Sequence, residues 1–144
     1  MKKFRFTLQT LYDIKSTEET DARNRLAALL KERDAVEGQI NENDRVYASH
    51  NEAYRRDCKN GISGRRLREY GGYFEYLAAE RKRLCALLKL CESQVHQCQQ
   101  ELLKLINEKK VLDRMREEQL AEYYKEVQKD EEKLIEDFMS ADRR

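Results

Sequence analysis

Cys91, His96 and Cys98 are the residues whose types and spacing come nearest to chemistry in this chain. Thiolates and imidazoles are the ligands zinc prefers, and a site needs them to converge, usually four at a time. On a helix these three do not converge. Cys91 and Cys98 stand one heptad apart on one face, whereas His96 lies two residues before Cys98 on another. The plainer reading makes both cysteines small apolar packers. Asn60–Arg66, NGISGRR, raises a second possibility, a phosphate-binding loop. It lacks the GK[ST] ending and follows no strand, so the backbone cradle that defines such loops is not built. With only His50 besides His96, acid–base constellations are thin. Nothing supplies a pocket or a poised nucleophile, so no catalytic residue, metal or cofactor is expected, and the reading is not an enzyme.

Arg65, Arg66 and Arg68 crowd the same break. They fit a solvated loop, or a small patch that steers an acidic partner. Nucleic acid is not expected as a partner. The formal net charge is only +1, and the patch has no stacking platform beyond nearby tyrosines.

The elements that must position these residues follow from composition. Asp, Glu, Lys and Arg make up 40% of the 144 residues, proline and tryptophan are absent, and there are five glycines. Turns need Gly, Pro, Asn or Asp clusters, and the one real cluster is NGISGRRLREYGG, residues 60–72, which allows about one reversal. Long helices with a narrow apolar seam are implied, rather than a thick core. No apolar run approaches the ~20 residues that span a bilayer, so direct membrane insertion is not expected. The opening MKKFRFTLQTLYDIK does not read as a secretory signal, and Cys58, Cys85, Cys91 and Cys98 are expected as free thiols in a reducing cytoplasm.

From Leu67 to Leu112 a three-four alternation runs through Leu67, Tyr70, Phe74, Leu77, Arg81, Leu84, Leu88, Cys91, Val95, Cys98, Leu102, Leu105, Lys109 and Leu112. Only Arg81 and Lys109 in it are not apolar. A 3.5-residue repeat held this long marks a left-handed coiled-coil seam. After Leu112 the stripe is expected to shift by one residue, through Leu120, Tyr124, Val127, Leu134 and Phe138, as a stutter in a continuous helix. The first half is weaker. Leu26, Leu29, Val36, Ile40, Tyr47 and Tyr54 share a face that Arg33, Asn43 and His50 interrupt. Polar residues there read as register-setting seam positions, or as a partner-facing surface. Phe4, Leu8, Leu11 and Lys15 give a further stripe near the start, where Thr7 or Thr10 is a candidate helix cap.

The expected fold is therefore all-α, one domain. It has a helix over about 8–58, a tip over about 59–72 and a helix over about 73–139, roughly 75 and 100 Å long. The economical arrangement is an antiparallel coiled-coil hairpin. The competing one is a broken rod that dimerises in parallel. In the hairpin, the longer second helix overhangs. Its end, residues 119–144, carries eight acidic and five basic side chains, and falls near Lys2, Lys3 and Arg5. Tyr73 and Tyr76 fall off the seam near the tip. Exposed aromatics beside arginines are common interface anchors, and extra packing at the hairpin end is the alternative.

The opening KKFRFTLQTLYDIK, the segment NEAYR at 51–55 and the tip NGISGRRLREYGGYFEYL resemble the FliJ family of flagellar type III export proteins. The resemblance covers nearly the whole chain. It implies a cytoplasmic antiparallel coiled coil, shaped like the central stalk of rotary ATPases, and not an enzyme. It implies three partners: the hexameric flagellar export ATPase, the cytoplasmic domain of the membrane export gate, and export chaperones. Carried onto this sequence, Leu8, Leu11 and the acidic overhang would face the ATPase ring. Tyr47, His50, Tyr54, Tyr73 and Leu77 would face the export gate. A purely structural coiled-coil scaffold is the alternative function.

Overall fold

A computed structural model describes residues 2–143. It contains two helices, α1 (Gln9–Asn60) and α2 (Gly64–Asp142), which pack against each other as an all-α helical hairpin. Contacts divide the chain into two units. One joins Met1–Arg23 to Glu101–Arg144, and the other is Asn24–Gln100.

The reversal takes only Gly61, Ile62 and Ser63. Gly61 closes α1 at φ 89°, in the left-handed region that costs any residue with a Cβ, and its N–H donates to the Cys58 carbonyl. Ser63 opens α2: its hydroxyl accepts the Arg66 N–H at 3.2 Å and its carbonyl accepts the Leu67 N–H. The expected tip of 59–72 is thus too wide. Gly71 and Gly72 lie inside α2. Each costs a helix about 1 kcal/mol, but Tyr70, Phe74 and Leu77 on either side bury a face of this stretch, and that burial carries the helix through. Neither threonine caps α1. Thr7 exchanges hydrogen bonds with Gln119, and Thr10 lies within the helix.

In the Asn24–Gln100 unit, Val36 and Ile40 of α1 pack with Leu84 and Cys91 of α2, and Cys85 and Leu88 close over them. Leu77, Val95 and Cys98 extend the buried row on α2. Cross-helix partners run in opposite directions: Asn43 reaches Leu77, His50 reaches Tyr70, and Asp57 reaches Arg66. That order is antiparallel. Asn43 is the one buried polar residue among those described. Its Nδ2 donates to the Leu77 carbonyl at 3.2 Å, so it acts as a register pin. Arg81, a break in the apolar repeat, turns outward to Asp44 at 2.8 Å.

In the terminal unit, Ala22, Leu102 and Leu112 are buried. Ala22, the most buried residue named, was not among the expected seam positions, because one methyl group gives a weak apolar signal. It nevertheless keeps the three-four phase with Leu26, Leu29, Val36 and Ile40. Past Leu112 the expected one-residue shift does not take hold at Tyr124. Tyr123 is half-buried, and Tyr124 is 61% exposed. The reason is the partner, which here is not a helix. Residues 2–6 precede α1 as a non-helical strap laid on α2. The Tyr123 hydroxyl donates to the Lys2 carbonyl at 2.6 Å, the Phe4 and Tyr123 rings meet at 5.6 Å, and Phe6 is buried. Leu134 and Phe138, expected to extend the stripe, are 71% and 74% exposed.

Two substitutions separate the roles of the glycines. Gly61→Ala should lose about 1–2 kcal/mol to its left-handed backbone. Gly72→Ala should gain about 0.5–1 kcal/mol, since an added Cβ meets nothing within 4 Å. Urea unfolding midpoints check both signs. Leu84→Ala, at 2% exposure, should cost about 2–5 kcal/mol in the same assay.

Candidate functional site

The hairpin end of the Asn24–Gln100 unit carries an aromatic cluster. Heptad spacing on both helices turns rings inward along one stretch. His50 sits at its centre, with the Tyr70, Tyr73 and Phe74 rings at 4.8, 4.6 and 4.6 Å. Tyr47 meets Phe74 at 5.1 Å, and Tyr54 meets both Tyr70 and Phe74. His50 Nε2 also lies 3.4 Å from the Tyr70 carbonyl. Of the five residues expected to face the export gate, all therefore lie in this region, but they are not equivalent. Leu77 is buried in the seam, His50 and Tyr54 are half-buried, and only Tyr47 and Tyr73 stand exposed. Tyr76, 60% exposed and stacked on Tyr73 at 6.0 Å, joins them on the surface.

A polar lock closes the cluster. The Tyr70 hydroxyl donates to Asp57 Oδ2, and the Arg66 guanidinium reaches the same oxygen at 3.0 Å while lying over the Tyr70 ring. The Tyr70 hydroxyl, assisted by Arg66, holds the Asp57 carboxyl below its ordinary value. Asp57 in turn pushes the Tyr70 phenol up. Arg66 thus belongs to the fold of the tip and is not a free member of a basic patch. Arg65 pairs with Glu69 along α2 at 3.6 Å. The lock was legible only in part: Asp57 shares the phase of Tyr54, Tyr47 and Ile40, but a carboxylate does not announce itself as a seam residue. Cys91 and Cys98 are buried seam residues and His96 is exposed, so the three share no site.

The terminal unit is chemically different. Lys109, the second polar seam position, donates to Glu19 at 2.7 Å, and Lys15 pairs with Glu108 at 2.8 Å. The Lys109 ammonium, with help from Arg23, holds the Glu19 carboxyl down, and Lys15 does the same for Glu108. Leu8 is half-buried, whereas Leu11 and Ile14, one turn apart, are 41% and 49% exposed. Val111 and Met115 of α2 are exposed too, and their heptad phase puts them on the side of the seam that Leu11 and Ile14 flank. Beside the strap an open groove of about 830 Å³ is lined by Lys2, Lys3 and Arg5 and by Glu122, Glu126 and Asp130. The expected meeting of basic start and acidic overhang is realised there. Further along α2, Leu134, Ile135, Phe138 and Met139 are exposed on the last turns.

These features define a class: an all-α helical hairpin that, among the described residues, leaves apolar and aromatic side chains exposed near the reversal and along the terminal unit. The particular family follows from comparison. The chain belongs to the flagellar FliJ protein family, whose model matches residues 4–141. It is therefore a protein associated with flagellar export, in a family of non-enzymatic export components. No curated protein and no solved structure matches the chain. No helix among the described residues is long and apolar enough to cross a membrane.

The carboxylate pairs predict a pH dependence. Glu19 and Glu108 have an ordinary value of 4.5 and are lowered on folding. Their contribution to stability is complete above that value and is lost as pH falls through the lowered pKa. The melting temperature of the full chain should hold from about pH 6 to about 4.5 and then fall. In a Glu19→Gln, Glu108→Gln variant the acid fall should be shallower, with a lower plateau at neutral pH. Thermal scans by circular dichroism read both. Because these groups are partly solvated, the plateau difference should shrink in high salt.

Proposed function

We propose that the protein is a non-enzymatic stalk of flagellar type III export. It binds the ring of the export ATPase with its terminal unit and the cytoplasmic domain of the export gate with its hairpin end. In this reading it also assists export chaperones, works in the cytoplasm, and associates peripherally with the membrane through the export apparatus. Family membership supports the setting. The observation that carries the division of labour is the contrast between the two surfaces. One offers Leu11, Ile14, Val111 and Met115 beside mixed charge; the other offers Tyr47, Tyr73 and Tyr76 over a packed aromatic cluster. Aliphatic residues in a charged surround suit a contact that must slide or turn within a ring. Tyrosines held rigid by their neighbours suit a fixed anchor, since little side-chain entropy is lost on binding.

Leu8, half-buried, is proposed to support this ring-facing surface while Leu11 makes the contact. His50, Tyr54 and Leu77 are proposed to hold Tyr47 and Tyr73 in place for the gate. The test is a pair of variants. Leu11→Asp should abolish the rise in ATP hydrolysis that the chain confers on its cognate export ATPase, while leaving gate capture intact. Tyr73→Ala should do the reverse in a gate pull-down. If the wild-type chain neither raises hydrolysis nor co-sediments with the ATPase, the stalk reading fails.

A further inference from the structure

The exposed tyrosine pair borders a second groove, of about 260 Å³, that none of the described residues fills. Its floor is apolar: Val46 from α1, with Leu77 and Leu84 from α2. One wall is Tyr73 and Tyr76, whose rings stack at 6.0 Å with only 19° between their planes. The rim carries a carboxylate from each helix, Glu42 and Glu80. Both are charged at neutral pH, as a carboxyl with an ordinary value of 4.5 must be, and Arg45 and Arg83 hold them lower still.

We propose that this groove receives a single lysine or arginine side chain from the segment of the export gate that docks on the hairpin end. Three features converge on that chemistry. The apolar floor takes the methylene stem of a long basic side chain. The aromatic wall places two tyrosine rings, whose faces are the negative side of the quadrupole, beside any cation held in the groove. The rim carboxylates complete the charge match. Their present partners do not block it. Glu42–Arg45 and Glu80–Arg83 are pairs within one helix turn on the surface, the kind that exchanges at little cost. Buried Asn43 also lines the groove, and its bond to the Leu77 carbonyl uses the amide nitrogen. A second copy of the chain is a poorer occupant, since its equivalent surface brings Glu42 and Glu80 already paired with Arg45 and Arg83 and so offers the groove no unpaired cation.

The inference rests on the gate reading only in taking this end to face a partner, and its test needs no export gate. The ¹⁵N-labelled full chain is titrated at low salt with acetyl-Leu-Arg-Leu-amide, and separately with the norleucine analogue. The arginine peptide should shift the amides of Val46, Tyr73, Tyr76 and Glu80 saturably. The norleucine peptide should bind about tenfold more weakly, and Glu80→Gln or Tyr76→Ala should weaken the arginine peptide about threefold. Equal response to both peptides would make the groove a plain apolar patch and overturn the proposal. So would shifts confined to other residues, no shift at all, or broadening of these amides by protein concentration alone, which would put a second copy in the groove. A chain that binds the gate yet ignores the peptide loses this inference and keeps its proposed function.

Discussion

Each helix of this protein has one stripe to bury and nothing else with which to pay for order. In a chain that is 40% charged, neither helix could hold its apolar residues out of water alone. Stripe must lie on stripe, and the other features answer to that pairing. The reversal is cut to Gly61, Ile62 and Ser63, so that Asp57 and Arg66 face each other without slack. Where the repeat runs out of apolar residues, polar groups are matched across the helices: Asn43 with the Leu77 carbonyl, Arg81 with Asp44, Lys109 with Glu19. Such matches add modest stability but penalise a slipped register, because a slip would strand a buried amide or an ammonium.

A seam that consumes one stripe per helix leaves the other faces exposed, and the proposed function is read from them. Near the reversal the surplus is aromatic. His50 packs among the Tyr70, Tyr73 and Phe74 rings, and Tyr76 stacks on Tyr73 outside them. In the terminal unit the surplus is aliphatic, and a strap replaces the partner helix. Phe4, Phe6 and Tyr123 bind that strap to α2, and beyond Asp130 the helix continues with its apolar residues bare. A helix end with Leu134 and Phe138 in water is stable only because the rest of α2 is anchored, and it is poised to gain from any partner that covers it.

Much of this was legible in the sequence, and the misses have physical causes. The three-four repeat from Leu67 to Leu112 identified the seam of α2. Its outer position, Leu67, is nonetheless 46% exposed. The break was located by its glycines but read too widely, since glycine marks a cost to a helix and not its end. Ala22 and Asp57 were missed as seam residues because hydrophobicity alone does not flag a methyl group or a carboxylate. Tyr123 was passed over for Tyr124 because periodicity assumes a helical partner, and the strap is not one. At the candidate site, residue types and phase located the aromatic cluster. Which of these residues are buried, such as Leu77, and which are exposed, such as Tyr76, depends on how the two helices pack and is not carried by phase alone.

The central claim is that one chain folds back on itself and pairs its own two helices. Double electron–electron resonance on a cysteine-depleted chain, spin-labelled at Thr20 and Lys110, tests it most directly. Both positions are exposed, and each lies one residue beyond the Glu19–Lys109 contact. Adjacent helices stand about 8–10 Å apart, so with the label arms the hairpin predicts a distance within about 20–25 Å. That distance should persist when labelled chain is diluted into excess unlabelled chain. A much longer distance, or a short one that vanishes on dilution, would contradict the hairpin and mean that the seams pair between molecules.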